Sequence, residues 1–141
     1  MGQPSLAVVT HAGPVPGAAG LSPAHALAAL SALGQPTRLE IFRMLMRAEP
    51  HGRPAGAIAA EIGCPHNTLS SHLAILARAG LVRGARNGRG IVYRADMDGM
   101  RALVAFLVKD CCAENPQLCG LQDALTAACC APSGRRKPGR R

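Results

Sequence analysis

The chain has 141 residues, a net charge of +8, 48% hydrophobic residues and only 2% aromatic ones. That length suits one compact domain with tails, its core filled by Leu, Ile, Val, Met and Ala rather than by rings. No apolar run reaches the roughly 18 residues of a membrane span, and no basic segment followed by an apolar stretch marks a secretory signal, so a cytoplasmic location with no membrane partner is expected.

Residues 1–20 are rich in Gly, Pro and Ala without a sustained period and are read as a disordered arm. Ser22 N-caps a first helix with Pro23 at its first position, and Gly34 stops it after about Leu33. Thr37 then caps a second helix, with Glu40 completing a capping box. Leu39, Ile41, Phe42, Leu45 and Met46 give this helix a broad apolar stripe, and it ends before Glu49-Pro50. A short third helix covers about Ala55 to Ile62, and Gly63-Cys64-Pro65 makes a turn. A fourth helix runs from about His66 to Ala79 and is ended by Gly80. A hairpin follows, Leu81 to Arg86 and Arg89 to Ala95, turning at Asn87-Gly88. Asp96 or Asp98 caps a fifth helix that runs to about Asp110. The expected fold class is mainly α with a small β-hairpin. Its domain spans residues 21–113, with an extension at 114–130 and a flexible basic tail at 131–141.

Two short helices joined by a tight turn and followed by a hairpin form a winged helix-turn-helix pattern. In the fourth helix Leu69, Leu73 and Leu76 fall on one face and point inward. His66, Asn67, Ser70 and Ser71 fall on the other, where short polar groups can reach base edges and phosphates. Arg86 and Arg89 flank the Asn-Gly tip, in reach of backbone phosphate or a minor groove. An ordinary amphipathic helix with a solvated face is the competing reading, and the arginine-bearing hairpin weighs against it. His72 lies on the leucine side and is read as a buried, hydrogen-bonded histidine. Cys64 is read as core packing. Charge is distributed to match: residues 36–95 carry nine Arg against three Glu, residues 96–134 carry two bases against five acids, and Arg135 to Arg141 adds five bases.

Six cysteines occur in the chain. In a reducing compartment, clustered thiols point to metal binding or redox chemistry before structural disulfides. Three of the six stand in "DCCAENPQLCG", residues 110–120. Adjacent helical residues diverge by about 100°, so Cys111 and Cys112 can face one ion only where the helix ends or unwinds. Asn115-Pro116 breaks the helix and can bring Cys119 back toward the pair. Three unliganded cysteines and a redox switch remain as other readings. Cys129 and Cys130 end a segment read as a short sixth helix, and they stand as bystanders, as the source of a fourth ligand or as a second soft-metal site. Both also satisfy a Cys-x5-Arg spacing, with Arg135 and Arg136. The phosphate-binding loop of that spacing needs a strand before it and a helix after it, and a Pro-Gly-Arg tail follows here.

"ALGQPTRLEIFRML", "IAAEIGCPHNTLSSHLAILARAGLV" and "GRGIVYRAD" together resemble the ArsR (arsenic repressor) family of metal-responsive regulators over roughly residues 22–110. The resemblance implies a homodimeric winged helix-turn-helix repressor, paired through its first and fifth helices. It would bind double-stranded operator DNA as an inverted repeat and would not be an enzyme. "CCAENPQLC" resembles a subgroup with a cysteine pair and a third cysteine just beyond the fifth helix. That likeness implies Cys111, Cys112 and Cys119 as ligands of As(III), with Sb(III) as a second candidate and no organic cofactor. The Cys-Val-Cys pair of other arsenic sensors is absent from the third helix, and no histidine follows His72 to build a zinc site on the fifth. Three local sulfurs suit the pyramidal trivalent metalloids better than tetrahedral Zn(II), while Cd(II) and Pb(II) remain open. A thiol enzyme of arsenate or disulfide reduction would want a Cys-x-x-C or a strand-helix scaffold, and neither is apparent.

Overall fold

The computed structural model describes residues 20–111, with Asp110 and Cys111 described through their backbone only. The expectations for the N-terminal arm before residue 20, the C-terminal extension, the sixth helix and the basic tail lie outside the described residues. The elements are α1 (Pro23–Leu33), α2 (Pro36–Arg47), β1 (Arg53–Pro54), α3 (Ala55–Ile62), α4 (His66–Arg78), β2 (Val82–Asn87), β3 (Gly90–Ala95) and α5 (Met97–Cys111). The chain divides after Phe106 into two compact units; of the second, only the last residues of α5 are described.

α1 starts as its residues dictate. Ser22 Oγ accepts from the His25 N–H at 3.3 Å, Pro23 takes the first helical position, and the Gly34 N–H donates to Leu30 O at 2.8 Å. Its inward face is Ala26, Ala29 and Ala32, small side chains that let α2 and α4 pack closely. The C-terminal end of α1 is tied by Arg38 of α2, whose Nε donates to Ala32 O at 2.7 Å and Nη2 to Ser31 O at 3.2 Å. A guanidinium there satisfies end carbonyls and suits the negative pole of the helix.

α2 departs from expectation at its start. Gln35, not Thr37, is the cap: its Oε1 accepts from the Arg38 N–H at 2.7 Å, and Pro36 occupies the first helical position. Proline lacks the N–H that a first-turn position leaves unpaired and has its φ preset, so the helix begins there and Thr37 falls inside it. The capping box of Thr37 and Glu40 therefore does not form. The buried stripe is Ile41, Phe42, Met44 and Leu45, with Leu39 exposed and Met46 half-buried.

The sheet has three strands in the order β1-β3-β2, all antiparallel. β1 extends the expected hairpin by pairing Arg53 with Tyr93 and Pro54 with Val92. The hairpin itself is shifted by one residue. Asn87 pairs with Gly90, so the turn is Gly88-Arg89 rather than Asn87-Gly88, and Gly88 takes the positive φ of 62°. The core joins α2 to Ile58 and Ala59 of α3, Leu69, Leu73 and Leu76 of α4, Leu81, Val82 and Ala95 around the sheet, and Leu103 of α5.

Asp96 links the sheet to α5. It is 1% exposed. Its Oδ1 accepts from the N–H groups of Asp98 and Gly99, both at 3.1 Å, and from Arg83 Nη2 at 2.8 Å. Its own N–H donates to Leu81 O at 2.8 Å. Of the two expected caps it is the one used. One helical turn on, a Cβ added to Gly99 would stand 1.7 Å from Gly80 O, so the first turn of α5 rests directly on the turn that closes α4.

Candidate nucleic-acid interface

α3, the Gly63-Cys64-Pro65 turn and α4 form the helix-turn-helix, held by the burial of Ile58 and Ala59 beside Leu69 and Leu73. With the leucines inward, His66, Asn67, Ser70 and Ser71 are all exposed on the outer face of α4. Their local bonding is specific. Ser70 Oγ donates to His66 O at 2.8 Å, Ser71 Oγ donates to Asn67 O at 3.1 Å, and Asn67 Oδ1 accepts from the Thr68 N–H at 2.9 Å. The cap of α4 is Pro65, which supplies no side-chain acceptor to the first turn. His72, on the leucine side, is half-buried with no hydrogen-bond partner among the described residues, so the expected buried hydrogen bond is not there. Cys64 is free and half-buried, only partly in the core.

The wing is β2 and β3. Gly84 faces Tyr93 across the ladder, and a Cβ there would meet Tyr93 Cε1 at 3.0 Å and Ile91 Cγ2 at 3.1 Å. The missing side chain leaves room for the ring over β2. Burial pushes the Tyr93 phenol up from its ordinary value. Arg86 at the end of β2 and Arg89 in the turn are both exposed.

Partnering separates the nine arginines of residues 36–95 into two groups. Arg38 binds carbonyls of α1, Arg53 pairs with Glu61, Arg83 pairs with Asp96 and lies 3.5 Å from Asp98, and Arg94 pairs with Glu49 at 2.9 Å. Arg43, Arg47, Arg78, Arg86 and Arg89 have no hydrogen-bond or ion-pair partner among the described residues. The first group holds the fold, and the second is available to an anion. Sequence alone does not set Arg78 apart from the other arginines. It stands seven residues after Ser71 and eleven after Asn67, spacings that return to one helical face.

Among the described residues, no group of three or more His, Cys, Asp or Glu side chains is placed to hold a metal ion. Cys111 is the last described residue, at the end of α5, and Cys112 and Cys119 lie outside the described residues, as do Cys129 and Cys130. No helix among the described residues is long and apolar enough to cross a membrane.

Residues 33–85 match a family model described as a helix-turn-helix domain. No curated protein matches the chain. Among solved structures it is similar to an ArsR-like transcriptional regulator from Rhodococcus sp. RHA1, with 24% identity, 72% of this chain and 92% of that one covered, and a TM-score of 0.58. It is similar to HlyU from Vibrio cholerae, with 27% identity, 63% and 94% covered, and a TM-score of 0.50. It is also similar to Mb0332 from Mycobacterium bovis, described as a homodimeric winged helix-turn-helix DNA-binding domain, with 29% identity, 64% and 87% covered, and a TM-score of 0.51. The fold is a winged helix-turn-helix.

Proposed function

We propose that this winged helix-turn-helix chain is a homodimeric transcriptional repressor of the arsenic repressor family. In this reading it binds operator DNA through α4 and the wing and releases it when Cys111, Cys112 and Cys119 take up As(III). The observation that carries the DNA-binding part is the exposed polar face of α4 next to a wing whose Arg86 and Arg89 have no partner among the described residues. The N-cap of α4, Pro65, contributes no side-chain acceptor, and Thr68 N–H is taken by Asn67 Oδ1, so the backbone N–H groups of His66 and Asn67 are the ones suited to a phosphate oxygen.

Dimerisation is supported by α1. Leu27 is 68% exposed and Leu30 41% exposed, while the alanines of the same helix face the core. A helix apolar on both faces asks for a second cover, and the similar Mycobacterium bovis domain is homodimeric. A two-fold dimer would meet an inverted repeat with half-sites about one helical turn apart.

The metalloid part rests on "CCAENPQLC" and on thiolate chemistry. Soft sulfur ligands select soft ions, and three thiols must lose their protons to bind one. A hundredfold loss of DNA affinity requires a coupling of about 3 kcal/mol, and linkage makes DNA weaken As(III) binding by the same factor.

The test is a titration of As(III), under reducing conditions, into the protein bound to a fluorescent DNA found by selection from a random library. Release is expected for the natural chain and not for the Cys111→Ser, Cys112→Ser, Cys119→Ser triple variant. Release that survives in the triple variant refutes the assigned ligands, and no release at all refutes arsenic as inducer. Release by mild peroxide in place of As(III) would make the same thiols a redox sensor.

A further inference from the structure

We infer that Ser70 and Ser71 read DNA as hydrogen-bond acceptors, and that each selects a base carrying an exocyclic amine, adenine or cytosine, over guanine or thymine at the position it meets. This rests on the proposed docking of α4 in the major groove and specifies what that helix recognises there.

A serine hydroxyl has one proton and two lone pairs. An unengaged serine can donate or accept, and so it distinguishes little by itself. Both serines here are engaged. Ser70 Oγ lies 2.8 Å from His66 O and Ser71 Oγ lies 3.1 Å from Asn67 O. A backbone carbonyl oxygen has no proton to give, so in both bonds the hydroxyl is the donor. This is the bond from a serine to the carbonyl four residues back that helices commonly accommodate. The single proton of each hydroxyl is directed into the helix, and its lone pairs are left for the outside. Both side chains are exposed, so those lone pairs face the solvent side of α4.

The major groove offers two kinds of donor, N6 of adenine and N4 of cytosine. Its acceptors are N7 and O6 of guanine, N7 of adenine and O4 of thymine. An outward lone pair is attracted by the first set and repelled by the second. Every base pair carries one amine in this groove, so each serine senses which strand bears it. The two serines are adjacent and diverge by about 100° around the helix, so they address separate positions. Neither serine ties up a neighbour's side chain, and neither is buried. Replacing either with alanine removes one acceptor and raises helix propensity, so the fold of the variants is retained.

The experiment is selection from a random duplex library with the full chain, reduced and free of metalloid, followed by affinity measurements on the best site. Two positions per half-site are expected to show adenine or cytosine on the contacted strand. Ser70→Ala should level the preference at one and Ser71→Ala at the other, each costing about fivefold to tenfold in affinity. In the complementary measurement, the amine is deleted from the contacted base, with purine replacing adenine or 2-pyrimidinone replacing cytosine. The natural chain should lose the same factor, and the matching alanine variant should lose nothing more. An unchanged affinity after the amine is deleted from a base pair whose preference the alanine variants level overturns the inference while leaving DNA binding intact. An enriched site indifferent to both serines does the same. A library from which nothing is enriched overturns the DNA-binding reading itself, and the inference with it.

Discussion

At the scale of single residues, Asp96 ties the start of α5 to the sheet. Its Oδ1 ends the first turn of α5 and receives Arg83, and its side chain is almost wholly buried. Asp96→Ala removes a helix cap and a charge-assisted hydrogen bond together, and is expected to cost about 2 kcal/mol in urea unfolding. Asp96→Asn keeps an acceptor oxygen and should cost distinctly less. The sequence leaves Asp96 and Asp98 equal as caps. The structure separates them because Asp98 lies inside the helix, where its carboxylate meets Arg101 at 3.0 Å and Arg83 at 3.5 Å. The inward leucines and outward polar residues of α4 were legible, since a 3.6-residue period dictates them. The direction of the Ser70 and Ser71 protons was not, because it depends on rotamers and on a carbonyl one turn away. His72 shows the same limit: period puts it on the leucine side, but whether it finds a partner there depends on the neighbouring elements.

At the scale of elements, the helices are set by local chemistry and the sheet is not. Four of the five helices among the described residues begin or end where their Ser, Pro or Gly residues say they should. α2 is the instructive case, since Thr37 and Glu40 match a capping box and Pro36 overrides them. Thr37→Ala should therefore leave thermal stability nearly unchanged, whereas Gln35→Ala should cost about 0.5 kcal/mol through the lost bond to the Arg38 N–H. β1 could not be read from sequence. Two residues cannot display an alternation, one of them is a proline, and the partners Val92 and Tyr93 lie far along the chain. The wing was legible as a hairpin but displaced by one residue, because Gly88 and not Asn87 takes the first turn position. Gly88→Val places a β-branched residue at φ 62°, and should destabilise the hairpin by at least about 1 kcal/mol. The same variant should weaken DNA binding by disordering Arg86 and Arg89, read as a rise in Kd by anisotropy.

For the whole molecule, net charge does not separate the arginines that hold the fold from those left available to an anion; partnering among the described residues does. Arg86→Ala and Arg89→Ala should each weaken binding to all sequences alike and reduce the slope of log affinity against log salt by about 1. Arg38→Ala, which loses its two carbonyls on α1, should lower the unfolding midpoint and leave the salt slope alone. On the proposed dimerisation through α1, Leu27→Glu on its exposed face should yield a monomer in sedimentation, since it would place a carboxylate against its own copy. Fold class was readable from the order and lengths of the elements. The proposed thiol site rests on its motif alone, since Cys111 is described through its backbone only and Cys112 and Cys119 lie outside the described residues. The contact of Gly99 with Gly80 gives that arrangement a mechanical character. Where two helices meet through long side chains, a small tilt is swallowed by rotamer changes, as by a cushion. Here peptide bears on peptide, and there is nothing between them to compress. Whatever leans on the start of α5 must push the closing turn of α4 by the same distance, as one end of a rigid beam moves the other.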